Sequence, residues 1–293
     1  MYQGPPYRHS NVKQRPEIEW PDGKRLAVWI GLNVESHLID KPSTSIHAGT
    51  AHLVPDPLNF GWRDYGPRVG VWRLMDMFDE LKITPSILLN SDVCSLYPEI
   101  IEEGNARGWA WLGHGKNHST QQAGMTEQVE LAYLSEVIQV IFEGTGHRPR
   151  GWLGTSFTET FNTPRLLAGL GVTYLLDWCN DDQPYRLEVP NHRMISLPYS
   201  IEINDITSFV SRGLTPWEFR DLVKAQFDQL YKESAGRGLV MAMGLHPYLV
   251  GQPFRAGYFR EALEHIRSHD DVWVTTADEI ADWYLTHHDK NPT

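Results

Sequence analysis

The chain has 293 residues, with 26 Lys plus Arg against 37 Asp plus Glu, a formal charge of −11 and no basic block, which argues against nucleic acid and anionic membranes as partners. That length can bury a sizeable core in one large α/β domain or two small ones. Cys94 and Cys179, the two cysteines, belong to no C-x-x-C pair, cannot build a disulfide framework and fit a reducing compartment.

Residues 1–24 read as an extended arm, with prolines at 5, 6, 16 and 21 and a Pro21-Asp22-Gly23 turn. The arm lacks the apolar core of a signal peptide, and no later run approaches membrane-span length; the expectation is a cytoplasmic protein, out of reach of wall polysaccharides. The first strand is the apolar run Leu26 to Leu32, as expected of a strand covered on both faces, and it ends in Asn33-Val34-Glu35-Ser36-His37. Residues 38–66 show little periodicity and read as a long irregular excursion, with His47 and His52 as surface histidines.

Helical spacing runs from Arg68 to Lys82, followed at once by a second strand over 83–90; Tyr97 to Arg107 is a short helix stopped at Gly108. The apolar run Trp109 to Leu112 then leads into Gly113-His114-Gly115-Lys116-Asn117-His118-Ser119. Thr126 to Gly144 is an amphipathic helix with Val129, Tyr133, Val137 and Ile141 on its core face. Arg148-Pro-Arg-Gly-Trp152 precedes a helix over 162–170 and a strand over 172–176, which ends in Asp177-Trp178-Cys179-Asn180-Asp181-Asp182. A short strand over 194–198, a helix from Pro216 to Ser234 capped by Thr215, and the apolar strand 238–245 ending on His246 come next. A helix over 258–268, a strand at Val272 to Val274 and a helix over 276–287 close the chain, so the rhythm is that of a parallel sheet or barrel in a single domain, 1–293.

Four strand ends carry reactive groups: Glu35, the His114/His118 pair, Asp177 with Asp181 and Asp182, and His246. In an α/β barrel such groups gather on one face. Two imidazoles four residues apart in a glycine-bearing turn can converge on one cation, for which a third ligand and an open position are wanted.

The order and spacing of these motifs resemble the NodB-like polysaccharide deacetylase superfamily, over residues 24 to 284. The marks are Asn33-Val34-Glu35 at the acidic motif, His114-Gly-Lys-Asn-His118 at the H-x-x-x-H motif, Arg148-Pro-Arg-Gly-Trp152 at the Arg/Pro/Gly motif, and Leu245-His246. The resemblance implies a distorted (β/α) barrel, usually seven-stranded, with a divalent metal. Within the superfamily, the arm, Asp181-Asp182-Gln-Pro-Tyr185 and the stretch from Gly244 to Arg255 look like the branch acting on small cyclic amides, allantoinases and cyclic imide hydrolases among them. Two departures stand out: Asn33 occupies the place of the family's Asp base, and Glu35, one methylene longer than Asp, falls on the ligand position. The chain keeps His118, which the allantoinase-like relatives have lost.

The resemblance therefore implies Glu35, His114 and His118 as ligands of one divalent ion, zinc first, with Mn, Fe, Co or Ni also compatible. The implied activity is opening of a small cyclic imide to a half-amide, with His246 as proton donor or substrate hydrogen bonder. Glu35 and Asn33 stand at the catalytic motif; Arg148 or Arg150 orients a polar group or makes a salt bridge; Asp177 and Asp181 stand behind a ligand His, and Asp182 lies in a solvated turn. Trp152, Trp178 and Asp181 are the candidate substrate-binding residues. A homo-oligomer, a tetramer by resemblance, is expected, with a small cyclic imide or amide as substrate. Two rivals stay open: a deacetylase of N-acetylated sugars or peptidoglycan fragments, or an allantoinase-like ring opener; and a catalytically dead barrel that binds a small molecule, an idea prompted by Asn33.

Overall fold

Strand β1 (Leu26–Val34) is nine residues long and buried throughout, the consequence of an apolar run walled on both faces. The structure, a computed structural model, describes residues 4–289. Around β1 the other strands assemble as β2 (Ser86–Leu89), β3 (Ala110–Gly113), β4 (Gly151–Trp152), β5 (Tyr174–Leu175), β6 (Tyr185–Arg186), β7 (Ile195–Ser196), β8 (Leu239–Leu245) and β9 (Val272–Val274). The order is β6-β7-β5-β4-β3-β2-β1-β8, with β9 also paired to β1. All pairings are parallel except β6 with β7.

The expected α/β architecture is thus present as a curled parallel sheet, a distorted half-barrel. Against the usual seven strands, the described residues hold nine, of which β6 is a two-residue antiparallel addition and β9 a further partner of β1. The seam between β7 and β8 is narrowed by backbone bonds from Val240 N–H to Asp182 O (2.8 Å) and from Gly244 N–H to Ile203 O (2.9 Å). The N-terminal arm runs along this seam. Arg15 clamps Asp181 through two bonds of 2.6 and 2.7 Å, and Trp20 Nε1–H donates to Leu239 O at 3.0 Å.

The period-two alternation of strands sorts the apolar residues into two layers. Leu26, Val28, Ile30 and Leu32 join the outer core beneath the helices, while Ala27 and Trp29 join the lumen with Leu88, Leu112, Tyr174, Val240 and Ala242. A fully buried large apolar side chain contributes ~1.5–3 kcal/mol, so both layers are needed to hold the sheet curled.

The helices are α1 (Pro57–Tyr65), α2 (Val71–Leu81), α3 (Val93–Leu96), α4 (Pro98–Ala106), α5 (Glu127–Thr145), α6 (Thr163–Gly169), α7 (Pro216–Glu233), α8 (Pro253–Arg267) and α9 (Ala277–His287). Three differ from expectation. The stretch 38–66 is not wholly irregular: Asp56 caps α1 by accepting the Asn59 N–H, Pro57 opens it, and a π-turn over Gly66–Gly70 joins it to α2. Helix α5 is rotated from the expected face, burying Glu130, Leu134, Val137, Ile138 and Ile141 and leaving Val129 54% exposed. Helix α8 starts at Pro253, five residues early, because proline serves as a first helical residue. Helices α7 and α9 each begin in a full capping box, Thr215/Glu218 and Thr276/Glu279. Among the described residues, no helix is long and apolar enough to cross a membrane.

Candidate metal centre

The alternation that fills the lumen also builds the site. Along β1 the inward positions are 27, 29, 31 and 33, and the next is Glu35; along β8 they are 240, 242 and 244, and the next is His246; past Leu112 in β3 comes His114. Three inward rows therefore end at the carboxyl edge of the sheet on a carboxylate and two imidazoles. His118 arrives by the turn after β3, where Gly115 takes φ +75° and a Cβ would collide with the hydroxyls of Thr155 and Tyr133. The turn is fastened by His118 N–H to Ser36 O (2.8 Å), Asn117 Nδ2–H to Asp92 Oδ2 (2.9 Å) and Lys116 N–H to the Tyr133 hydroxyl (2.9 Å). Asn90 braces both sides, accepting the Ser36 N–H at 3.1 Å and donating to the His114 carbonyl.

One oxygen of Glu35, Oε1, lies 3.3 Å from His114 Nε2, 2.9 Å from His118 Nδ1 and 3.6 Å from His246 Nε2. The other, Oε2, lies 3.6 Å from His37 Nε2. His114 Nδ1 sits 2.9 Å from the Leu153 carbonyl, which can only accept, so Nδ1 carries the proton. In the neutral ring, Nε2 then turns a lone pair toward a carboxylate oxygen, an arrangement that a cation or a proton between them satisfies. His118 Nδ1 is buried and lacks a partner of hydrogen-bond geometry despite its closeness to Glu35, and Glu35 Oε2 is likewise buried and unpartnered.

The ligand atoms of Glu35, His114 and His118 all fall within 4.8 Å of one another. One carboxylate and two imidazoles suit a divalent transition ion with an open position, and the two orphaned atoms fit such an ion. Burial works to raise the Glu35 pKa, but the charges of His118 and His246 and the bond from His114 outweigh it and hold the carboxyl well below its ordinary value.

His246 is held differently. Its Nδ1 lies 2.6 Å from Asp205 Oδ1, and its backbone N–H donates to Asp205 Oδ2 at 2.8 Å. Burial disfavours its charge, but Asp205 and Glu35 prevail and push it up to about 10. His37 goes the other way: burial, the foremost cause, brings it down to about 3 against the pull of Glu35.

The loop after β4 backs both ligand imidazoles. Leu153 O holds His114, the Thr155 hydroxyl donates to His114 O at 3.2 Å, and Ser156 Oγ lies 3.4 Å from His118 Nε2. Ser156 and Phe157 take left-handed φ of 55° and 56° to do so. Asp177 secures the loop by accepting the Gly154 N–H at 2.8 Å.

Of the sequence-derived candidates, Glu35, His114, His118 and His246 come together, and Asn33, Arg148, Arg150, Trp152, Trp178 and Asp181 are placed elsewhere. Asn33 commits its amide donors to the Tyr199 hydroxyl (3.1 Å) and the Leu245 carbonyl (3.0 Å), tying β1 to β8 just below the site. Arg148 bonds the Leu170 carbonyl at 3.1 Å and lines a cleft with Thr84, Gly108 and Trp109, at the amino edge of the sheet and away from the ligands; Arg150 there pairs with Asp282. Trp152 is fully buried core, its Nε1–H donating to Gln122 at 3.2 Å. Asp181 is the Arg15 clamp, and Trp178 packs edge-on against Tyr7 at 5.3 Å; both anchor the arm.

Residues that sequence reasoning did not single out are Asp205, Asn90, His37, Tyr248 and, from α1, the buried Arg63. A histidine at a strand end invites a carboxylate partner, but among 37 acidic residues nothing local marks Asp205.

No family model matches the chain. A putative polysaccharide deacetylase of Schizosaccharomyces pombe is 26% identical, over 92% of this chain and 93% of its own length. The crystal structure of a probable polysaccharide deacetylase from Pseudomonas aeruginosa PAO1 superposes with TM-score 0.88 at 26% identity, covering 97% of this chain and 100% of that one. The Puue allantoinase structure superposes with TM-score 0.87, also at 26% identity, covering 97% and 99%. The curled parallel sheet is the fold of these structures.

Proposed function

Relatives and fold together support a hydrolase of the polysaccharide deacetylase superfamily, and on that premise we propose that the chain hydrolyses an amide carbon–nitrogen bond with a divalent ion held by Glu35, His114 and His118. The observation that carries the reading is the convergence of these three groups with the Asp205-backed His246 on one lumen end. When bound, such an ion polarises a carbonyl and lowers the pKa of water; zinc is the proposed metal.

The residues of the chain do the rest. Leu153 fixes the His114 tautomer, and Asp205 accepts the His246 Nδ1–H and favours the charged ring, so that a proton on Nε2 faces the ligand set. Water oxygen bonds to the carbonyl carbon, the carbon–nitrogen bond breaks, and the nitrogen takes the His246 Nε2 proton. The water's own proton restores His246. General acid help of this kind supplies ~10²–10⁴-fold. Asn33, an amide committed to two bonds, takes no part as a base.

Deacetylation of N-acetylated sugars or peptidoglycan fragments is the reading the deacetylase relatives favour. Opening of a cyclic imide is a second reading, favoured by the closure of the site: the side chains of Glu35, His114, His118 and His246 are 1–8% exposed. A polymer needs an open groove, whereas a small ring does not, and the likeness to an allantoinase structure agrees with a small ring. We carry the single catalytic domain, cytoplasmic location and homo-oligomer as parts of this reading; light scattering tests the last.

A panel of N-acetylglucosamine oligomers, succinimide, maleimide, hydantoin and allantoin, with zinc and with chelator, decides. Acetate release supports the deacetylase reading, ring opening the second. Zinc-loaded protein that hydrolyses nothing on the panel sinks both.

A further inference from the structure

Once an ion occupies Glu35, His114 and His118, several buried polar atoms nearby are still unexplained, and two of them, His37 Nε2 and the Tyr248 hydroxyl, belong to rings that face the imidazoles of His118 and His246 and have no hydrogen-bond partner. The His37 side chain is 4% exposed, and Tyr248 is 2% exposed. Buried polar groups are nearly always paired, so an unpaired couple at a site points to an absent partner. Both flank the ligand set in sequence, His37 two residues after Glu35 and Tyr248 two after His246.

They flank it in space as well. The His37 ring lies 5.5 Å from that of His118 and 6.2 Å from Tyr248, and Tyr248 lies 5.5 Å from His246. From α1, Trp62 covers Tyr248 edge-on at 4.9 Å, and Arg63, 4% exposed, is held over the same side by a bond to the Thr44 carbonyl. These two atoms thus sit under a cover, next to the reacting centre, with a donor and an acceptor to offer.

We infer that His37 and Tyr248 hydrogen-bond a second polar group of the substrate, a carbonyl or N–H adjoining the scissile amide, and so select compact substrates that carry one. This rests on the amide-hydrolase reading. Neither residue touches the bond that breaks; they set specificity. A substrate carbonyl takes the Tyr248 O–H, and an adjacent N–H is accepted by His37 Nε2.

Tyr248→Phe deletes one oxygen and keeps the ring packed against Trp62. The test compares binding of succinimide, which has two carbonyls about its N–H, with that of 2-pyrrolidinone, which has one, by calorimetry on zinc-loaded wild type, Tyr248→Phe and His37→Asn. Wild type should prefer succinimide, and Tyr248→Phe should lower that preference tenfold or more, with unchanged zinc content and an equal or higher Tm because an unpaired buried hydroxyl is gone. An unchanged preference in both variants, or a wild type that binds neither ring, overturns the inference. If the preference falls as expected but wild type hydrolyses no amide, the hydrolase reading fails and only the two hydrogen bonds to a bound ring stand; hydrolysis with an unaltered preference is the reverse. If His37→Asn does not fold, Tyr248→Phe decides alone.

Discussion

Replacing Asp177 with Asn should make the protein more stable above neutral pH. Asp177 accepts the Gly154 N–H at 2.8 Å through Oδ1, while its Oδ2 and Glu159 Oε1 are buried without partners. Burial pushes both carboxyls up, and for Glu159 the charges of Asp177 and Glu130 add to it. The sign follows from linkage. The unfolded chain releases these protons near pH ~4, whereas the folded chain holds them to higher pH, so stability falls as pH climbs from ~4 through the raised folded values and then levels. Asparagine keeps the acceptor for Gly154 and removes the charge. With each unit of displacement worth ~1.4 kcal/mol, two units recovered amount to ~3 kcal/mol. For a chain of this size that is ~5–8 °C in Tm. Calorimetric melting at pH 4 and pH 8 checks it: the gain should appear at pH 8 and vanish at pH 4. Equal or lower Tm at pH 8, or a gain that persists at pH 4, refutes the shared-burial argument.

Four further expectations follow from the site. His118→Ala should lose bound zinc and activity together, whereas His246→Ala should keep zinc, by metal analysis, and lose ~10²–10⁴-fold in turnover. Asn33→Asp should not create a base; it sets a carboxylate oxygen against the Leu245 carbonyl and should cost ~1–3 kcal/mol in denaturant unfolding. Arg148→Ala should leave kcat/KM within about twofold, since that side chain serves the Leu170 carbonyl; a loss of the size seen for general-acid variants, ~10²-fold or more, would return Arg148 to the site. Zinc added to chelated wild type at ~100 Kd should raise stability by ~2.7 kcal/mol, read as a Tm shift absent from His118→Ala.

Most of the site is legible because its residues extend apolar strands whose inward parity is countable: Glu35 from Ala27 and Trp29, His114 from Leu112, and His246 from Val240 and Ala242, while His118 is marked by its spacing from His114. What stays hidden depends on tertiary approach. Asp205 meets His246 from 41 residues away, with no periodic strand to announce it. Trp152 and Trp178 mislead because a tryptophan near a strand end serves core or arm as readily as substrate; one is sealed beneath Gln122 and the other is covered by Tyr7. Arg148 belongs to a motif matched in spacing, yet it precedes its strand and so falls at the amino edge. Helix α1 is missed because its first turn rests on an Asp56 cap and a proline, while only Asn59 and Arg63 are buried in it, leaving no apolar stripe to count.

The arm has a consequence for biogenesis. Arg15 grips a residue 166 positions downstream, and Trp20 one 219 positions downstream, so the arm leaves the ribosome well before the segments it docks onto. At ~5–20 residues per second, the arm waits ~10–40 s for β8, exposing Trp20 and Ile18 meanwhile. Closure of the lumen is therefore a late, long-range event, and a nascent chain stalled before residue 239 leaves two apolar side chains for a chaperone to hold.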